Sequence, residues 1–186
     1  MAVRDTKGLV EHNQNLNKQI TGYLQEALIL LLEKKTFDEI SITELCNKAG
    51  VSRMAFYSNY KTKAELYEQI VRTLNRDMID VVGSPFTKTV GLDWYRKFFS
   101  LMAENFDTVK TVIAADRNRY YSTINSVVMF ARPLSEDQKL VRLIWTGGMV
   151  NATLYWVDTN MEKSAESMAQ LCFEALDSAL RSYRLI

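Results

Sequence analysis

Two helix-start signals stand eleven residues apart, at Ser41 and Ser52, with Gly50 between them. Ser41 with Glu44 three residues later makes a capping box and opens a helix of about two turns. Gly50 ends that helix in the left-handed conformation glycine tolerates, and Ser52 caps a second short helix, Arg53 to about Asn59. Helices this short are unstable alone, so longer neighbours must hold the pair. The flanking sequence supplies them. Ile20, Leu24, Ala27, Leu28 and Leu31 fall at helical spacing between Leu16 and Glu33, with Gly22 a weak point near the start. From Thr62 onward Leu66, Ile70, Leu74 and Met78 form one stripe, with Tyr67 and Val71 beside it.

The rest of the chain reads as helix too. Seven glycines and two prolines in 186 residues are too few for a sandwich or barrel, which needs turn residues about every 8–12 positions. Met1 to about Asn13 is polar and unpatterned and is expected to be a loose arm. Gly83-Ser84-Pro85 is the strongest break, and beyond Gly91 helices are expected at about 92–105, 108–115, 118–130, 135–158 and 164–184. Ser135 with Gln138 makes a second capping box, and Ser164 is placed to cap the last helix. The expected fold is all-α with about nine helices: a head over residues 1–65 and a larger helical domain over 66–186, linked by a helix over about 62–81.

Composition narrows the function. A hydrophobic share of 47% with 24% charged residues is that of a globular chain, not a disordered one. One histidine, His12, and two cysteines leave little for a metal cluster or a nucleophile–base pair, so no enzyme, no metal and no cofactor is expected. Cys46 and Cys172 lie in apolar segments and are expected to be buried, reduced thiols. The longest apolar run, Ala27 to Leu32, is far short of a membrane span, and the N-terminus lacks the pattern of a signal peptide. A cytoplasmic protein with no membrane partner is the expectation.

Two short capped helices joined by a glycine turn are the sequence form of a helix-turn-helix. Leu45, Cys46 and Ala49 would face inward from the first, and Val51, Phe56 and Tyr60 would close the underside of the second. Arg53, Met54, Ala55, Tyr57, Ser58 and Asn59 are left for the front, as groups able to meet base edges and phosphates. The net charge is only +1. Between Cys46 and Ala64, however, stand Lys48, Arg53, Lys61 and Lys63 and no acidic residue, while residues 1–80 carry eleven basic and eleven acidic groups. This local concentration suits a polyanion.

Phe37-Asp38-Glu39-Ile40-Ser41-Ile42-Thr43, Ala49-Gly50-Val51-Ser52 and Phe56 through Leu66 together closely resemble the DNA-binding domain of TetR/AcrR-type bacterial transcriptional regulators. The resemblance runs from about Gln19 to Val71. It implies an all-helical homodimer that binds double-stranded DNA through a three-helix head and in many cases takes a small effector in its second domain. By position, it assigns Tyr57 a contact with the DNA backbone, Lys63 a contact with phosphate, and Arg53, Met54 and Ala55 the base-reading start of the recognition helix. Thr43 lies where the first helix of the motif touches DNA, although a threonine there is also simply a good first-turn residue. Lys61 is either a contact or a solvated side chain. Asn59 and Met54 depart from the residues usual at their positions, and Tyr60 replaces a usual phenylalanine.

The second domain is rich in rings and soft side chains. Trp94, Phe98, Met102, Tyr120, Tyr121, Trp145 and Met149 are candidates to line a pocket for a small apolar or aromatic effector, and equally serve a helical core. Ile144, Gly148, Ala152 and Tyr155, with Cys172, Ala175 and Ala179, mark a face on the last two helices that the resemblance makes a dimer interface. The small residues there also suit close packing within one chain. The expected function is a dimeric, ligand-responsive regulator, by default a repressor, on a near-palindromic operator. An adaptor or co-activator of the same fold acting through a protein partner is the alternative.

Overall fold

A computed structural model describes residues 6–86, 90–129 and 134–181. Those residues form nine helices and no strand: α1 Thr6–Leu32, α2 Ile42–Ala49, α3 Arg53–Asn59, α4 Lys63–Val82, α5 Leu92–Glu104, α6 Phe106–Ala115, α7 Arg117–Met129, α8 Glu136–Asp158 and α9 Ala165–Arg181. The fold is all-α. The chain divides into two compact units, Met1–Ile70 and Val71–Ile186, and the division falls inside α4.

In the first unit α1 packs on α2 and α3. Its core joins Leu24, Ala27 and Leu28 of α1 with Ile40, Leu45, Cys46, Phe56, Tyr60, Leu66, Tyr67 and Ile70, all buried. The helix starts follow the serines. Ser41 Oγ accepts the Glu44 N–H at 3.1 Å, and Ser52 Oγ accepts the Ala55 N–H at 3.1 Å. Gly50 has φ of 67° and turns the chain between them. One expectation fails at the N-terminus. The segment to about Asn13, read as a loose arm, is helical from Thr6. Its side chains from Val10 to Gln19 are all exposed, so the extra turns carry no apolar stripe by which to recognise them.

In the second unit α5 packs on α9, α8 lies against α7 and α9, and α6 contacts its neighbours α5, α7 and α8. The core is aromatic, with Trp94, Tyr95, Phe99, Trp145 and Trp156 buried beside Met102, Met149 and Met168. Ser135 and Gln138 complete a reciprocal capping box at α8, and Ser164 accepts the Ser167 N–H at 3.2 Å to start α9. The α8–α9 turn is left-handed without glycine: Asn160 and Met161 have φ of 48° and 56°. It is tied down by Lys110 Nζ on Asn160 Oδ1 at 2.7 Å and by the Trp156 indole on the Lys163 carbonyl at 2.7 Å. No helix among the described residues is long and apolar enough to cross a membrane.

Candidate nucleic-acid interface

The seven residues of α3 divide into an underside and a front. Phe56 is fully buried and meets the ring edges of Tyr57 at 5.3 Å and the ring of Tyr60 at 5.9 Å. Arg53, Met54, Tyr57 and Ser58 are exposed and surround a shallow recess of about 550 Å³. Met54 is 82% exposed and Tyr57 49%. Ala55 and Asn59 are half-buried. The Asn59 amide donates to the Ala55 carbonyl at 2.8 Å, and the Ser58 hydroxyl donates to the Met54 carbonyl at 2.9 Å. Both side chains therefore close back on the helix, and in this arrangement the outward groups are those of Arg53, Met54 and Tyr57. Thr43, on the first turn of α2, and Lys61, before α4, are exposed as well.

The loop that delivers α2 is fastened from several sides. The Glu39 carboxylate accepts the Thr36 N–H and hydroxyl, both at 2.8 Å, and these bonds hold its pKa below the ordinary carboxylate value. Glu44 does not return its side chain to the Ser41 N–H as a capping box would. It pairs instead with Lys35 at 2.6 Å, so only half of the expected box forms.

Lys63 is turned inward. Its ammonium donates to the Ile40 carbonyl at 2.6 Å and to the Phe37 carbonyl, and it lies over the Phe37 ring at 4.3 Å from the centroid. Phe37 in turn meets Tyr67 edge-on at 5.6 Å. Burial pulls the Lys63 ammonium below the usual lysine value, with Asp38 acting the other way. The expected phosphate contact thus finds a side chain already committed to the α1–α2 loop. At the same helix start Thr62 Oγ1 accepts the Glu65 N–H at 3.1 Å, while Glu65 accepts the Lys61 N–H at 2.7 Å.

The candidate pocket residues of the second unit separate into groups. Trp94 stacks on Phe98 at 5.3 Å and meets Trp145 at 5.7 Å, and the Trp145 indole donates to the Tyr95 hydroxyl at 2.9 Å. Met102 and Met149 are buried. These rings fill space against one another. Tyr120 and Tyr121 stand on α7, and burial pushes the Tyr120 phenol up to about 12. A cleft of about 360 Å³ lies between Val82–Ser84 and Val90–Trp94, with Lys97 on its wall; of the candidate residues only Trp94 lines it. The apolar periodicity passes over a set of buried polar groups in this unit. Arg142, Thr146 and Asp177 are buried, the Arg142 guanidinium lies over Phe86 at 4.3 Å, and Thr146 Oγ1 and Asn125 Oδ1 are buried without a hydrogen-bond partner.

The candidate dimer face also divides. Ile144, Tyr155 and Ala175 are exposed, and Ala152 is half-buried. Leu140 and Leu143 of α8 and Leu171 of α9 are exposed as well. Cys172 is buried within its own unit, where burial raises its thiol to about 11. Gly148 faces α9 of the same chain, since a Cβ there would stand 2.6 Å from a methyl of Leu176. Close packing inside one chain is the arrangement found for this glycine. The side chain of Ala179 lies outside the described residues.

A solved TetR transcriptional regulator from Streptococcus agalactiae 2603V is similar to this chain with a TM-score of 0.60, over 91% of this chain and 98% of its own, at 14% identity. This chain has the TetR-regulator fold. A tetR-family transcriptional regulator from Streptomyces coelicolor is also similar, at 24% identity and a TM-score of 0.49, over 88% of this chain and 85% of its own. No family model and no curated protein matches the sequence. Within the TetR-regulator fold, α1 to α3 form the head described above and α5 to α9 build the second unit.

Proposed function

We propose that this chain is a sequence-specific DNA-binding transcriptional regulator that works as a homodimer, by default a ligand-responsive repressor on a near-palindromic operator. The observation that carries this reading is the front of α3, where Arg53, Met54 and Tyr57 stand exposed on a buried Phe56 with no acidic residue from Cys46 to Ala64. In the proposed complex the start of α3 enters the major groove. Arg53 bonds guanine, Tyr57 gives its hydroxyl to a backbone phosphate, and Thr43 and Lys61 flank them on the DNA backbone. Ala55, Ser58 and Asn59 shape the surface between these groups. Lys63 acts by holding the loop before α2.

Dimerisation is supported by the exposed apolar stripe of Leu140, Ile144 and Tyr155 on α8, with Leu171 and Ala175 on α9. Exposed large apolar side chains at helical spacing on α8 suit a second copy more than water. A small effector with aromatic or apolar character is proposed for the ring-rich second unit, where Trp94 lines a cleft of about 360 Å³. Such a ligand regulates only if it binds the DNA-competent and incompetent states with different affinity.

Selection of bound fragments from random DNA at moderate salt tests the reading, with Tyr57→Ala as control. Enrichment of a two-fold symmetric motif, lost in the control, is expected. A folded dimer that enriches nothing, with and without candidate effectors, would assign the helix-turn-helix to a protein partner instead.

A further inference from the structure

Among the described residues Met54 is the most exposed large apolar side chain, and it stands at the second position of the recognition helix. The other large side chains of α3 are placed by their neighbours: Phe56 is buried, and Tyr57 keeps its ring edge-on to Phe56. The Met54 carbonyl takes the Ser58 hydroxyl, so the polar side chain one turn on folds onto the helix and does not cover the thioether. Arg53 precedes it, and the surrounding window from Cys46 to Ala64 has no acidic group. The result is one apolar side chain on a front otherwise matched to a polyanion.

The edges of base pairs in a major groove present a single apolar group, the C5-methyl of thymine. Methionine is unbranched and adaptable, so it can follow that methyl without demanding one rotamer. We propose that Met54 reads the C5-methyl of a thymine in each half-site, next to the base met by Arg53. The inference rests on the DNA-binding reading above and adds to it the chemistry recognised.

The test uses the full-length protein and its selected operator, with each thymine of a half-site replaced in turn by deoxyuridine, which removes the methyl and keeps the pairing edge. One position is expected to lose about fourfold in affinity, the worth of one buried methyl. In Met54→Ala the same replacement is expected to cost nothing further, while Met54→Leu retains most of the penalty. Met54 is exposed, so the melting temperature of both variants should match the parent. The proposal is overturned if no thymine is methyl-sensitive, or if the penalty is as large in Met54→Ala as in the parent. A parent protein that binds no DNA overturns the underlying reading instead, a result distinct from either.

Discussion

The ammonium of Lys63 donates to the carbonyl of Ile40 at 2.6 Å, bridging the start of α4 to the residue just ahead of the α2 cap. With the Phe37 carbonyl and ring as further partners, the cation closes the α1–α2 loop over the core. A charged hydrogen bond of this type is worth about 2 kcal/mol. Lys63→Met should therefore lower the melting temperature by several degrees. The slope of log affinity against log salt should stay that of the parent, whereas loss of a phosphate contact would reduce it by nearly one. A variant with parental stability and a reduced slope would return Lys63 to the phosphate.

Charge placed on the exposed apolar residues of α8 should separate the subunits of the proposed dimer. Ile144→Glu and Tyr155→Glu each put a carboxylate where an apolar surface now faces outward, and neither residue supports the core. Sedimentation is expected to shift from dimer to monomer with helix content unchanged. A dimer that survives the double substitution would place the interface elsewhere.

High pH offers a check on the second unit. Burial raises the Cys172 thiol to about 11 and the Tyr120 phenol to about 12, from ordinary values of 9.0 and 10.0. The unfolded chain therefore releases these protons first, and stability that is complete below pH 9 falls as the pH rises through the folded values. Each group contributes at most about 3 kcal/mol to that fall. Urea midpoints measured at pH 8, 9, 10 and 11 should descend across the series, and Cys172 should resist alkylation at pH 8. A flat series with rapid labelling would contradict its burial.

Two adjacent glycines should answer differently to the same change. At Gly147 a Cβ would sit 3.5 Å from the Tyr121 hydroxyl, an ordinary contact, whereas at Gly148 it would sit 2.6 Å from Leu176. Gly147→Ala should stabilise the chain by about 0.5–1 kcal/mol through helix propensity. Gly148→Ala should gain less, because Leu176 must give way. Equal shifts in thermal unfolding would mean that the close approach of α8 and α9 is not held in solution.

The legible parts of the fold were those with a local chemical signature. Ser41, Ser52, Ser135 and Ser164 announce helix starts, Gly50 announces the intervening turn, and the apolar stripe of α4 stands out; all reappear in the helices found. What escaped lacked such a signature. Among Thr6–Asn13 at the start of α1 only Leu9 and Val10 are large apolar residues, too few to mark a helical period. The α8–α9 turn uses Asn160 and Met161 where a glycine would have marked it. The front of α3 was readable because Phe56 sets its underside. The inward turn of Lys63 was not, since two carbonyl partners far away in sequence decide it. Gly148 shows the same limit: a small residue marks a close approach but does not name the neighbour.

The proposed recognition helix, α3, is seven residues long and owes its shape to the core beneath it, in which Leu24 and Leu28 of α1 are fully buried. Its geometry is thus inherited from side chains that touch no ligand. In a genetic screen for lost operator binding, truncations at Leu24 or Leu28 would score beside Arg53 and Tyr57, and only a measurement of folding would tell the two classes of allele apart.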